Sequence, residues 1–203
     1  MKLSIYKYVS NELTIKKSHF ICLIFPINNL KDINNNIQKS KRLFQNANHY
    51  CFAYSFQNKE KAYDDGEPHG TAGIPILNII KKNKLNNILI VVIRYFGGIK
   101  LGATKLTMTY RKCVLQTIKK SILCKIIYCV DLSFSVTYQQ LNKLKNIISE
   151  SINYNIKYDQ KVCIQLTCDL NKLNTVENKI NNNLHTKIKF KNNKLYEKRI
   201  ILK

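Results

Sequence analysis

Ile88 to Ile93 reads ILIVVI, six apolar residues without a polar interruption. A run this short and unbroken fits a strand buried on both faces. Directly after it comes RYFGGIKLG (Arg94–Gly102), and then a helical stretch from Ala103 to about Leu123. A buried strand, a loop with few side chains and a long helix thus follow one another in mid-chain.

The flanking segments can be placed by their periods. SHFICLIF (Ser18–Phe25) reads as a strand stopped by Pro26. Leu30, Ile33, Ile37 and Phe44 recur at helical spacing and predict an amphipathic helix from about Asn29 to Gln45. HYCFAYSF (His49–Phe56) is strand-like, and a turn-rich NKEKAYDDGEPHG follows it. A short helix is expected after Thr71, with Thr71 as its N-cap and Pro75 tolerated in the first turn.

Past Lys125 the pattern becomes strand (KIIYCVDLSFSV), helix (YQQLNKLKNIISES), hairpin (NYNIKYD and KVCIQLTCDL), helix (NKLNTVENKINNN) and strand (HTKIKF). That order is βαββαβ, the ferredoxin-like split unit. The fold class is therefore α+β in two domains, 1–126 and 127–203, with the boundary near residues 124–128. The charged tail from Lys191 adds an extra, loosely attached strand.

Charge narrows the partners. Thirty-four Lys and Arg against twelve Asp and Glu give +22, a surplus that attracts polyanions through counterion release. Arginine supplies only Arg42, Arg94, Arg111 and Arg199, and the lysine, asparagine and isoleucine load also fits an A/T-rich coding bias. No apolar run reaches the roughly 18 residues of a membrane span, and the start carries no signal-peptide pattern, so no membrane partner and a cytoplasmic location are expected. Seven cysteines include Cys-x4-Cys pairs at 124/129 and 163/168. That five-residue step sends strand side chains to opposite faces, so reduced, core-filling cysteines are expected rather than a zinc site.

Two motifs carry the candidate chemistry. In the first, the backbone of Gly97, Gly98 and Gly102 ahead of a helix suits an anion, with Arg94, Lys100, Lys105 and Arg111 lining the cradle and Tyr95 and Phe96 as stacking platforms. Gly97-x4-Gly102 misses the nucleotide-binding P-loop because Ala103 stands where its lysine belongs. The competing reading is a tight strand-to-helix turn with the aromatics buried. In the second motif, DDGEPHGTAGIP, Asp64, Asp65, Glu67 and His69 could act as metal ligands or as acid and base. Alternatively, their carboxylates accept N–H groups of their own turns.

DDGEPHGTAGIPIL followed by VVIRYFGGIKLGATKL, with HYCFAY upstream, resembles the IMPACT protein family, in particular its compact bacterial YigZ-type members. The motif likeness covers roughly residues 12–116. It implies a first domain like the ribosomal-protein-type fold of domain IV of elongation factor G, and a ferredoxin-like second domain. It implies a role in translation and its regulation under stress, with RNA or the ribosome as partner, and no catalytic residue or cofactor. The family's pattern has a small residue at His69, glycines at Thr104 and Lys105, and often a basic residue at Met108. The expected function is accordingly a non-enzymatic RNA- or ribosome-associated regulator. A metal-assisted hydrolase of a phosphorylated substrate and a regulator that binds a translation-related protein are the alternatives.

Overall fold

The computed structural model describes residues 3–192 and 195–202. Among these the chain is a mixed α/β protein with two sheets and five α-helices. It divides into two compact units, Met1–Lys125 with Ile200–Lys203, and Ile126–Arg199. No helix among the described residues is long and apolar enough to cross a membrane.

The first unit contains β1 (Leu3–Ile5), β2 (Val9–Ile15), β3 (Ser18–Pro26), α1 (Leu30–Leu43), β4 (His49–Phe56), β5 (Lys59–Tyr63), α2 (Gly73–Lys82), β6 (Ile88–Tyr95) and α3 (Ala103–Lys119). Its five-stranded sheet has the order β2-β3-β6-β4-β5 and is antiparallel throughout. The unbroken apolar runs occupy the middle, where alternate residues must be covered on opposite faces. Phe20, Cys22, Ile24, Ile88, Ile90 and Val92 pack with residues of α2 and α3. Ile21, Leu23, Phe25, Leu89, Val91 and Ile93 form a second core with Ile33 of α1.

Helix α1 begins in a capping box. Asn29 Oδ1 accepts the Asp32 amide at 3.0 Å, and Asp32 Oδ2 accepts the Asn29 amide at 3.2 Å.

The second unit runs β7 (Leu123–Val136), α4 (Tyr138–Ser149), β8 (Asn153–Tyr158), β9 (Val162–Asp169), α5 (Leu173–Leu184) and β10 (Lys191–Asn192). Strand β7 begins just ahead of this unit, and its first residues pair with β1, Ile5 opposite Leu123. Within the unit the sheet order is β8-β9-β7-β10. Val130, Leu132, Phe134 and Val136 alternate toward a core completed by Leu144, Ile147 and Ile148 of α4 and by Ile180 and Leu184 of α5. The opposite sheet face carries Ser133, Ser135, Cys163 and Gln165.

Several boundaries differ from the sequence expectations. HTKIKF (His185–Phe190) is irregular rather than a strand, and only Lys191–Asn192 pair with β7. Ile188 and Phe190 of that segment still pack on the core, which explains its strand-like alternation. Helix α3 stops at Lys119 rather than near Leu123, because Leu123 already pairs with Ile5 as a strand residue. The charged segment after Phe56 contains strand β5 at the sheet edge, and the tail contributes β11 (Tyr196–Ile201), also paired to β7. Residues 193, 194 and 203 of that tail lie outside the described residues.

Candidate functional site

The acidic motif is organised as a cap for α2. Asp64 Oδ1 accepts the amides of Ala72 (3.1 Å) and Gly73 (2.7 Å), and Oδ2 accepts that of Gly70 (2.9 Å). Thr71 is not the N-cap: that position is Ala72, which offers no side-chain bond, and the Thr71 hydroxyl donates instead to the Pro68 carbonyl at 2.7 Å. A carboxylate eight residues upstream thus does the work expected of the local threonine. Burial works against ionisation of Asp64, but the amides of Gly70, Gly73 and Ala72 outweigh it and hold its carboxyl below the usual range. Asp65 Oδ2 accepts the Tyr50 amide at 2.7 Å.

Glu67 joins this motif to the glycine loop. Its side chain is only 3% exposed, and its two oxygens lie 2.7 and 2.9 Å from Nη1 of Arg94, itself 6% exposed. The Tyr110 hydroxyl donates to Glu67 Oε1 at 2.7 Å and lies 3.3 Å from the Cys51 sulfur. His49 Nε2 is 3.9 Å from Glu67 Oε2, while its Nδ1 meets the Asp65 carbonyl at 2.8 Å and must therefore carry the proton. Burial pushes both the Cys51 thiol and the Tyr110 hydroxyl strongly upward, so neither supplies an anionic nucleophile near neutral pH.

The two motifs therefore converge, but on a desolvated charge pair rather than on an open cleft. Arg94 does not line an anion cradle. Its guanidinium lies over the rings of Phe20 and Phe96, 5.3 and 5.4 Å from their centres, and is neutralised by Glu67. His69 is fully exposed, with Nδ1 4.0 Å from Asp64 Oδ2. Among the described residues no group of three or more His, Cys, Asp or Glu is arranged to hold a metal ion.

The glycine loop is packed at Gly97 and open at Gly98 and Gly102. At Gly97 a Cβ would fall 2.0 Å from the Lys17 carbonyl carbon, so only glycine lets the chain lie against the β2–β3 turn. The Gly97 amide donates to Ser18 Oγ at 3.2 Å, and the Phe96 amide to Asn48 Oδ1 at 2.7 Å. Tyr95 is half-buried, with its hydroxyl donating to the Gln45 carbonyl at 3.0 Å, whereas Phe96 is 43% exposed. Gly98 and Gly102 have φ of +82° and +77°, and nothing lies within 4 Å of a Cβ built on either.

Helix α3 starts after Gly102 with no side-chain cap and no acidic residue in its first turn. Lys100, Thr104 and Lys105 are exposed there, as is Arg111 further along the helix. Beside them lies an open groove of about 600 Å³ lined by Ile15, Leu101, Gly102, Lys105, Met108 and Lys112. Of the sequence-predicted cradle, Gly98, Lys100, Gly102 and Lys105 share this exposed bend. Arg94 lies in the interior, and the Tyr95 hydroxyl is already occupied.

Sequence reasoning missed Tyr110, Ser18 and Lys112. Tyr110 sits at helical spacing from Leu106, Cys113 and Val114 and so reads as core; only its buried hydroxyl marks it as the third partner of Glu67.

Residues 16–118 match the family model of the Impact N-terminal domain. The IMPACT family member YvyE of Bacillus subtilis is 39% identical over 144 residues, 70% of this chain and 66% of that protein. A family member from Haemophilus influenzae is 38% identical over 113 residues, 53% of this chain and 55% of that protein. The chain thus spans slightly under two thirds of the first of these relatives and just over half of the second. A crystal structure of a hypothetical protein superimposes with a TM-score of 0.62 at 23% identity, over 93% of this chain and 95% of that one, and so shares the fold. With both motifs inside the matched stretch and the pair Glu67–Arg94 joining them, the chain belongs to the IMPACT family.

Proposed function

We propose that the protein is a non-enzymatic, RNA- or ribosome-associated regulator of translation that works in the cytoplasm and receives a phosphate group at the bend ahead of α3. The observation that carries this reading is the uncapped, exposed start of a 17-residue helix, preceded by two open left-handed glycines and beside a groove with Lys105 and Lys112 on its wall. Unpaired amides and the helix dipole favour an anion there, and the exposed lysines add positive charge. Phe96 offers an exposed ring for a neighbouring base. Membership of a family linked to translation supports the choice of RNA among polyanions. The order β8-β9-β7-β10 supports reading the second unit as ferredoxin-like.

The carboxylates of the acidic motif favour this reading over hydrolysis. Asp64 and Asp65 accept backbone amides and Glu67 neutralises Arg94, so none is aimed at a substrate. The test is an RNA titration at several salt concentrations. Lys100→Gln with Lys105→Gln should weaken binding and lower the slope of log affinity against log salt by about two. An unchanged slope would move the site elsewhere, and binding insensitive to salt would end the proposal.

A further inference from the structure

We infer that the open face of the second unit's sheet is a second RNA-backbone site, lined by Lys157, Lys187, Lys189 and Lys191, which grips phosphates and ribose hydroxyls without reading bases. The inference rests on the RNA reading above but concerns different residues. A groove of about 530 Å³ lies on this face. Its floor is built from two rungs of the sheet. Lys191, Ser133, Gln165 and Asn155 stand opposite one another across β10, β7, β9 and β8. Ser135, Cys163 and Lys157 form the next rung. At roughly 4.8 Å between strands, four strands span about 14 Å, wider than a single phosphate and enough for a length of backbone.

Charge and chemistry select the occupant. The four lysines are exposed, and no carboxylate is among the described residues lining the groove. Asp131, two residues before Ser133 on β7, is engaged by the Thr167 and Tyr196 hydroxyls at 2.7 and 3.0 Å. The floor between the lysines is hydroxyl, amide and thiol, groups that suit ribose and phosphate oxygens. Its apolar lining, Phe134, Ile164 and Ile188, is buried or half-buried, so it presents no exposed aromatic ring on which a base could stack and no projecting apolar anchor of the kind that dominates protein–protein interfaces. Helices α4 and α5 pack on the other face, so neither fills the groove. A partner whose bases are already paired and whose backbone is regular, an RNA duplex, therefore fits better than a single strand.

Cys163 in this floor is exposed while the other six cysteines are buried, so its alkylation reports on the groove alone. With an RNA duplex at about nine times its Kd, alkylation by N-ethylmaleimide should slow by about tenfold, as the free fraction falls to about a tenth. The slowing should be the same for duplexes of different sequence. Lys157→Gln, Lys187→Gln and Lys189→Gln together should lower the salt slope by about three and abolish the protection, with an unchanged circular dichroism spectrum.

Protection that survives Lys100→Gln with Lys105→Gln upholds the groove even if those changes leave affinity untouched and so refute the bend. Salt-sensitive RNA binding with Cys163 alkylated at its free rate overturns the groove and leaves the bend standing. Protection by an acidic protein but not by the duplex also overturns it, as does the absence of any RNA binding.

Discussion

Replacing Glu67 by alanine should destabilise the first unit by about 3–5 kcal/mol, the range for removing one member of a buried ion pair. The structure sets the estimate at several atoms. Arg94, 6% exposed, would lose contacts of 2.7 and 2.9 Å and keep the faces of Phe20 and Phe96 and, as a side-chain hydrogen bond, a long 3.5 Å approach to Ser18 Oγ. Its Nε already has no hydrogen-bond partner among the described residues, so the stranded cation has little to fall back on. Tyr110 would lose its acceptor and retain only the Cys51 sulfur. Glu67→Gln keeps an acceptor oxygen but not the charge and should cost about half as much. Glu67→Leu with Arg94→Met removes both charges and should recover much of the loss, although each single change is damaging.

The chain has no tryptophan, and its two units need not unfold together. Urea unfolding should therefore be followed by circular dichroism and by hydrogen exchange of the β6 amides. The expected fall in melting temperature of the first unit is about 10–20 °C. A Glu67→Ala protein within about 1 kcal/mol of the parent would refute the claim that this pair is desolvated and that Arg94 has no other counter-charge.

Other outcomes follow from the same geometry. Gly97→Ala places a methyl group against the Lys17 backbone and should lower the melting temperature far more than Gly98→Ala, where only a positive φ, worth about 1–2 kcal/mol, opposes the change. Thr71→Ala should cost at most about 1 kcal/mol in urea unfolding, since that side chain makes one local bond, whereas Asp64→Ala strips three amides and should cost several-fold more. Because the Asp64 carboxyl is held below its ordinary value, its contribution is fully present above about pH 4 and disappears as the pH falls through the lowered folded-state value. Acid unfolding curves of the parent and Asp64→Asn should therefore differ at neutral pH and converge in strong acid. Curves separated by a constant amount down to the lowest pH would count against the linkage.

What could be read in the residues was whatever produces a local period or a local cap. ILIVVI and SHFICLIF announce two-sided burial, and α1 carries Asn29 and Asp32 at capping-box spacing beside its apolar stripe. Lys59–Tyr63 carries no such signal, since an edge strand has little apolar surface to hide and is well served by charge. HTKIKF shows the reverse: Ile188 and Phe190 alternate toward a core from irregular backbone.

The candidate site was legible as composition but not as pairing. Nothing near Arg94 in sequence reveals that its counter-ion is Glu67, 27 positions earlier, or that Asp64 caps a helix that begins beyond Ala72. The first depends on β6 lying beside β4, which sets Arg94 opposite His49; the second depends on how the turns from Gly66 to Thr71 fold the chain back on Asp64. Gly98 and Gly102 could be recognised as permissive from residue type, but their openness is a property of what does not pack over them.

The pairing of β3 with β6 bears on how the chain is made. Pro26 lies opposite Ile88, so during synthesis the first ribbon leaves the ribosome some sixty residues before its neighbour. At roughly 5–20 residues per second that interval lasts about 3–12 s. For those seconds FICLIF is paired only with β2, and Ile33 of α1 is the first buried helix residue that can cover it, so the unpaired edge of β3 stays open until the central strand arrives.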